Sequence, residues 1–353
     1  MAAFAASFLL QSVTLQAQAP AAAAPAFRIQ TEWKLGGPGG WGPMLFDPAT
    51  RQLFIPRTNR VSVIDTETGK ILGEVPGFGD ARNVALDQDG KYGYVTDIMD
   101  GTVGIVRVFN RSTFQVESTI EVGRIPGAIL FDPITKNVFS FNSRERTASV
   151  IGSASKLVSA TIPLHGKPHL AVTDGKGSIY VTFRTTGDPE GKIVRLDTTS
   201  HAITATWSIE ACAEFTGLAM DAPHHQLLGG CADGHLLAID AASGHVTDLG
   251  EKTTTVNDAA DLTLDGTHGL LFAGSNRGNL TILHQDSASH FTRLQDLPTL
   301  PRASTLVPDP IHGRVYLITA TFDKRPVNGK NLDELEARQA PVTGTFEVIV
   351  VGK

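Results

Sequence analysis

The stretch Asn83 to Asp97, Asn-Val-Ala-Leu-Asp-Gln-Asp-Gly-Lys-Tyr-Gly-Tyr-Val-Thr-Asp, holds an apolar run ending in Asp, a glycine-containing turn and a second apolar run. Two short strands around turn chemistry make a β-hairpin. The phrase recurs six more times, and the seven copies are anchored at Asp47, Asp87, Asp132, Asp174, Asp221, Asp265 and Asp309, with spacings of 40, 45, 42, 47, 44 and 44 residues. A period in that range with several strands per unit predicts an all-β, seven-bladed β-propeller with four-stranded blades. Length alone would allow two or three domains in 353 residues, but seven units closing into one ring make residues 27–353 a single domain.

Third strands are expected at Val61 to Thr66, Val103 to Phe109, Ala148 to Ile151, Ile193 to Asp197, Leu236 to Asp240, Leu280 to Leu283 and Phe346 to Val350. Turns such as Thr66 to Gly69 and Ala241 to Gly244 lead into a fourth strand, with Gly supplying positive φ. Arg28 to Gly36 alternates apolar and polar residues yet precedes the first full unit. Thr345 to Val351 is an apolar strand with nothing after it. The N-terminal strand is therefore expected to complete the last blade, removing edges that would pair with other chains.

Residues 1–26 read as a leader, either a signal peptide or a disordered Ala/Pro-rich tail: Ala2 to Leu10 is apolar, and Ala17-Gln18-Ala19 and Ala22-Ala23-Ala24 offer small-residue cleavage sites, although no basic n-region precedes them. Export implies a secreted or periplasmic protein. The net charge of −6 and the lack of a basic tail argue against nucleic acid, and no apolar run is long enough to span a membrane. A monomer is expected, with no cofactor and no metal. Gly37-Pro38-Gly39-Gly40-Trp41-Gly42 matches a dinucleotide fingerprint in spelling, but a strand follows it where that site needs a helix, so it reads as an interblade loop. His224-His225 falls in a hairpin turn on the opposite rim, where a surface turn outweighs a metal site.

Tyr94-Val95-Thr96-Asp97 and Ile179-Tyr180-Val181-Thr182, with Gly69 and Gly244 closing Asp-x-x-x-Gly turns, resemble the bacterial YVTN-type seven-bladed propellers over about residues 28–353. The chain is also similar to lactonase-type propellers. Sites in such folds usually sit at the channel mouth, five and four residues before each anchoring Asp. The polar members there are Arg82, Asn83, His169 and Asp261. Loops between second and third strands add Arg57, Arg60, Asp97, Asp100, Arg144, Arg146, Arg184, Glu190, Asp233 and Arg277. Arginines on one rim favour an anionic small molecule or a carboxylate-bearing envelope protein, with Arg57, Arg82, Asn83, Arg144, His169, Asp261 and Arg277 as ligand-binding candidates.

Two functions follow. One is a binding or scaffold propeller of the cell envelope, without chemistry. The alternative, implied by the lactonase resemblance, is a hydrolase or lactonising enzyme acting on an anionic sugar lactone or carboxylate through His169, Glu214, Arg184 and Arg277. Convergence of His169, Glu214 and an arginine within hydrogen-bond reach separates them. A metal-dependent gluconolactonase site needs more oxygen ligands than Asn83 and Asp261.

Two further expectations concern the rim. Asp323 to Thr343 is a long polar insertion with a short helix expected at 332–338, read as a flap over the channel mouth. Cys212 and Cys231 are the only cysteines; chain topology brings them to one rim, as a disulfide or as two buried thiols.

Overall fold

The computed structural model describes residues 26–100, 103–184, 190–252, 260–322 and 341–353. Residues 1–25 of the leader and 323–340 of the insertion lie outside the described residues. The regular structure described is all strand, in seven four-stranded antiparallel sheets arranged as a ring: the chain is a seven-bladed β-propeller. Blade 1 runs through Leu45–Asp47, Gln52–Arg57, Arg60–Asp65 and Ile71–Pro76 from the channel outward. Blades 2 to 6 repeat this order. Blade 7 takes three strands from the C-terminal end, Thr305–Asp309, Arg314–Thr319 and Glu347–Gly352, and its outermost strand, Arg28–Lys34, from the N-terminal end. The closing register pairs Arg28 with Gly352, Trp33 with Val348 and Lys34 with Glu347.

Burial follows position in the blade. The second strand of blade 6, Leu270–Ser275, is buried at every residue because neighbouring blades cover both faces, so its apolar run need not alternate. The outer strand of blade 4, Ile203–Ile209, alternates between partly buried and exposed residues, since only one face meets a neighbour. Among the described residues the apolar core divides into seven clusters, each straddling two adjacent blades. The blade interface, rather than the blade, is thus the packing unit.

The recurring polar residues are structural. Each anchoring Asp caps its hairpin turn: Asp87 accepts from the Lys91 and Tyr92 N–H groups, and Asp309 from those of Ile311 and His312 and from the Tyr316 hydroxyl. Both tyrosines of the Tyr-Val-Thr strands, and Thr96, reach across interfaces. Tyr94 donates to the Ser153 carbonyl of blade 3 and Tyr180 to the Ala241 carbonyl of blade 5. Thr96 donates to the Gly127 carbonyl at 2.9 Å. Gly69 and Gly244, both at positive φ, leave room for indoles from the preceding blade: a Cβ would stand 2.4 Å from Trp33 and 2.3 Å from Trp207.

The Gly37 to Gly42 loop joins the closing strand to blade 1, and the strand Leu45–Asp47 follows it. His224 sits in its hairpin turn and bonds Asp221, and among the described residues no three or more His, Cys, Asp and Glu side chains gather to hold a metal.

Candidate functional site

The first strand of each blade runs up to or into its capping Asp, and the residues four and five positions earlier reach the upper rim of the channel. Pro43, Asn83, Ala128, His169, Thr216, Asp261 and Ser304, one from each blade, line a cavity of ≈ 390 Å³ there. Asn276 joins them from the loop after the second strand of blade 6, and Ser304 donates to its side-chain oxygen at 2.7 Å. Sequence reasoning missed Asn276, because loop side chains follow no period.

His169 is the second residue of the first strand of blade 4, Pro168–Thr173, and Arg184 follows the second, Ser178–Phe183. The Arg184 Nη2 lies 2.9 Å from His169 Nε2. A guanidinium only donates, so Nε2 accepts and the ring proton of a neutral imidazole sits on Nδ1. Burial, then the positive charge of Arg184, lowers the His169 pKa to about 4, while a hydrogen bond with the Phe215 backbone acts the other way. The same guanidinium has its Nε 3.7 Å from Glu214 Oε1. Arg184 thus stands between His169 and Glu214, both of which it contacts.

Asp261 faces the channel from blade 6. Burial pushes its carboxyl from 3.8 up to about 7, opposed by hydrogen bonds with the backbone of Leu262 and Leu306. The cavity wall therefore presents amide, hydroxyl and neutral imidazole groups with one carboxyl poised between its two forms near neutrality, a combination that suits hydrogen bonding of a polar ligand.

The two shifted groups act oppositely on stability. Folded Asp261 keeps a proton that the unfolded chain has released, so its contribution is complete below pH 3.8 and is lost as pH rises towards about 7. Unfolded His169 takes up a proton that the folded chain refuses, so its contribution is complete above pH 6.5 and is lost as pH falls towards about 4. The slopes oppose each other over that window in the parent. Relative to the parent, Asp261→Asn is expected to melt higher at about pH 8 and to gain stability as pH rises from about 4.5 to 6.5, and His169→Gln to show the reverse slope. Melting curves of the three proteins at these pH values check it; parallel profiles would exclude both shifts.

The remaining candidates are dispersed. Arg57 is a correction: it is 1% exposed, faces inward, and cannot serve an anion on the rim. Its guanidinium donates to the carbonyls of Gly40, Gly36, Pro38 and Gly39 at 3.1, 3.4, 3.1 and 3.3 Å and lies 3.6 Å from the Phe346 ring centroid. The glycine-rich loop is the cradle of this arginine. Arg82 turns to Asp80 at 2.7 Å, outside the channel cavity. Arg144 is exposed on the rim, as is Arg277, whose N–H donates to Ser275 Oγ.

Cys212 and Cys231 form a disulfide, with Cα atoms 5.5 Å apart. It joins the loop after the outer strand of blade 4 to the end of the second strand of blade 5, close in the chain to Glu214 and to Phe215, where the first strand of blade 5 begins. Closing a 19-residue separation contributes about 3 kcal/mol in the chain-entropy account. The Cys212→Ser/Cys231→Ser double variant is expected to lose about that much in urea unfolding. An unchanged midpoint, or two freely alkylated thiols in folded native material, would contradict it.

No protein-family model matches the chain. No curated protein matches it either. Similarity appears among solved structures. A chain of Kuenenia stuttgartiensis hydrazine synthase is 18% identical with a TM-score of 0.68, covering 78% of this chain and 92% of its own. U3-55K is 12% identical with a TM-score of 0.68, covering 92% of this chain and 98% of its own. The WD40 repeats of RRP9 are 12% identical with a TM-score of 0.69, covering 92% and 97%. At these identities the likeness is one of fold: this chain shares the β-propeller architecture of all three.

Proposed function

We propose that this protein is an exported, YVTN-type binding propeller of the cell envelope that holds its ligand at the channel mouth without transforming it. The observation that carries the reading is the convergence of polar groups from blades 2, 4, 5, 6 and 7 on one cavity of ≈ 390 Å³. Asn83, Thr216, Ser304 and His169 of the lining supply hydrogen bonds, and Arg184, in contact with His169, and the exposed rim residue Arg277 supply positive charge for an anionic group that projects from the cavity. The Cys212–Cys231 disulfide supports export, because such bonds persist in oxidising compartments.

Equilibrium dialysis of the purified protein against pooled small anions and oligosaccharides tests the reading. Asn83→Ala with Thr216→Ala should weaken a retained ligand by about tenfold, the effect of one or two neutral hydrogen bonds. Arg277→Ala should weaken an anionic one by about 1.5–3 kcal/mol, and added salt should weaken it further. Retention that ignores these substitutions places the ligand elsewhere.

The contact of Arg184 with both His169 and Glu214 favours one second reading, a lactonase-type hydrolase. A neutral imidazole beside a guanidinium could relay a proton while the cation holds a carboxylate. A lactone panel is the check: any activity found must disappear in His169→Ala, and activity surviving that change rules this site out as its source.

A further inference from the structure

The carboxyl of Asp261 is an exception among the acids of the ring. Buried carboxyls elsewhere in the described chain are met by a side chain of their own protein: Asp47 by Arg111, Asp97 by Arg107, Asp265 by His268, Asp309 by His312 and Glu347 by Lys34. Asp261 takes backbone hydrogen bonds instead, from Leu262 on its own strand and from Leu306 on the first strand of blade 7. Among the described residues no side chain bonds it. The two backbone donors hold the carboxyl at the seam between blades 6 and 7, facing the channel-mouth cavity, and fill about half of its lone-pair sites.

The surroundings of Asp261 suit a cation. No lysine or arginine lines the cavity. Arg184 lies against His169 and Glu214, where the carboxylate offsets its charge, and a pKa of about 4 keeps the imidazole neutral. Two further oxygens stand in the same quarter of the ring. Asn276 lies two residues beyond Gly274, the sheet partner of Asp261, and Ser304 lies two residues before Leu306. Ser304 donates to the Asn276 side-chain oxygen at 2.7 Å, so its own lone pairs are left to accept. Leu170 and Leu218, both part-exposed to the cavity, give the wall of blades 4 and 5 an apolar surface.

We propose that the end of the ligand entering this cavity carries a primary ammonium group, which donates to Asp261, Ser304 and Asn276 while an apolar body lies against Leu170 and Leu218. This rests on the binding reading above and names the chemistry that its cavity selects. A carboxylate in the same place would bring a like charge to Asp261, and a hydroxyl would bring a single proton to several acceptors; an ammonium brings several donors and the counter-charge that the chain does not supply. A bound metal ion would need more oxygens than one carboxylate offers, and ≈ 390 Å³ is room for a small organic molecule.

Pairing requires the ionised carboxyl. The empty site holds a proton below about pH 7, so an incoming ammonium expels it there. His169 lines the same cavity and stays neutral over this range, while Glu214 with Arg184 and Arg277 stand at the rim. The strands packed against Ala260–Asp265 carry Asp221 and Asp309 at their far ends, level with Asp265.

Calorimetric titration of the full chain with cyclohexylamine tests the proposal, with cyclohexanol as a neutral probe of the same shape. At about pH 8 the amine should bind at least about tenfold more tightly than the alcohol, the worth of one charge-assisted hydrogen bond. From about pH 5 to 7 its affinity should rise about tenfold per unit and then level off, and at about pH 6 its heat should vary with the buffer by the measure of about one released proton. The alcohol should show neither effect. Asp261→Asn should weaken the amine at least about tenfold at about pH 8, leave the alcohol unchanged and flatten the pH profile, with its melting curve reporting that it is folded. No binding of cyclohexylamine up to its solubility limit, equal binding of cyclohexanol, or parental affinity in Asp261→Asn each overturns the proposal. The binding reading falls separately: equal binding of both probes that Asn83→Ala with Thr216→Ala weakens would remove the ammonium and keep the site.

Discussion

Removing residues 28–36 is expected to abolish cooperative folding, leaving material that aggregates or melts far below the parent. These residues hold the whole outer strand of blade 7, which pairs with Glu347–Gly352 from Arg28 to Lys34. Trp33 packs on Tyr316 with ring centroids 5.6 Å apart and sits against Gly69 of blade 1, so the strand seals a blade interface as well as a sheet edge. Loss of a core Trp costs about 3–5 kcal/mol, and the partly buried Trp33 should cost towards the lower end, still a large share of the 5–15 kcal/mol that holds a typical domain together. The strand left behind is buried at every residue and would become an unpaired apolar edge. Size-exclusion chromatography and thermal melting of the shortened chain decide the matter; a monomer that melts like the parent refutes closure by the N-terminal strand.

Arg57→Met should be the most damaging single substitution, lowering stability by about 3–5 kcal/mol, as when one partner is taken from a buried charged network. Methionine replaces much of the volume but none of the donors. Four loop carbonyls, those of Gly36, Pro38, Gly39 and Gly40, would lose their common partner, and the Phe346 ring its cation. Burial, then the neighbouring Arg60, lowers the guanidinium to about 10, which leaves it charged at neutral pH. Arg57→Lys should fall between parent and Arg57→Met, because a point charge cannot reproduce a planar fork of donors. Urea unfolding of the three proteins is the measurement. Equal midpoints for Met and Arg would show that the loop holds its shape without the cradle.

Arginine 57 also marks where reading by position stops. Distance along the strand fixes height in the channel, so an offset of four or five residues from each anchoring Asp is enough to bring Asn83, His169, Thr216, Asp261 and Ser304 to one end of it. Rim loops obey no such rule. Arg57, Arg82, Arg144 and Arg277 look alike in the sequence, yet one is buried under glycine carbonyls, one is paired with Asp80 and two are exposed. The same limit hid Asn276, a loop residue that no strand period places at the channel mouth.

The sequence by itself determined the architecture. A hairpin phrase repeated with a capping Asp can bury its apolar residues only against copies of itself, and an unpaired strand at each end must find the other. The Tyr-Val-Thr residues belong to that logic, since Tyr94, Thr96 and Tyr180 tie one blade to the next. Tertiary structure alone decided which charges face water and how far the His169 and Asp261 pKa values move. Those outcomes depend on side-chain direction and on desolvation by residues far away in the chain, and neither is written in local spacing.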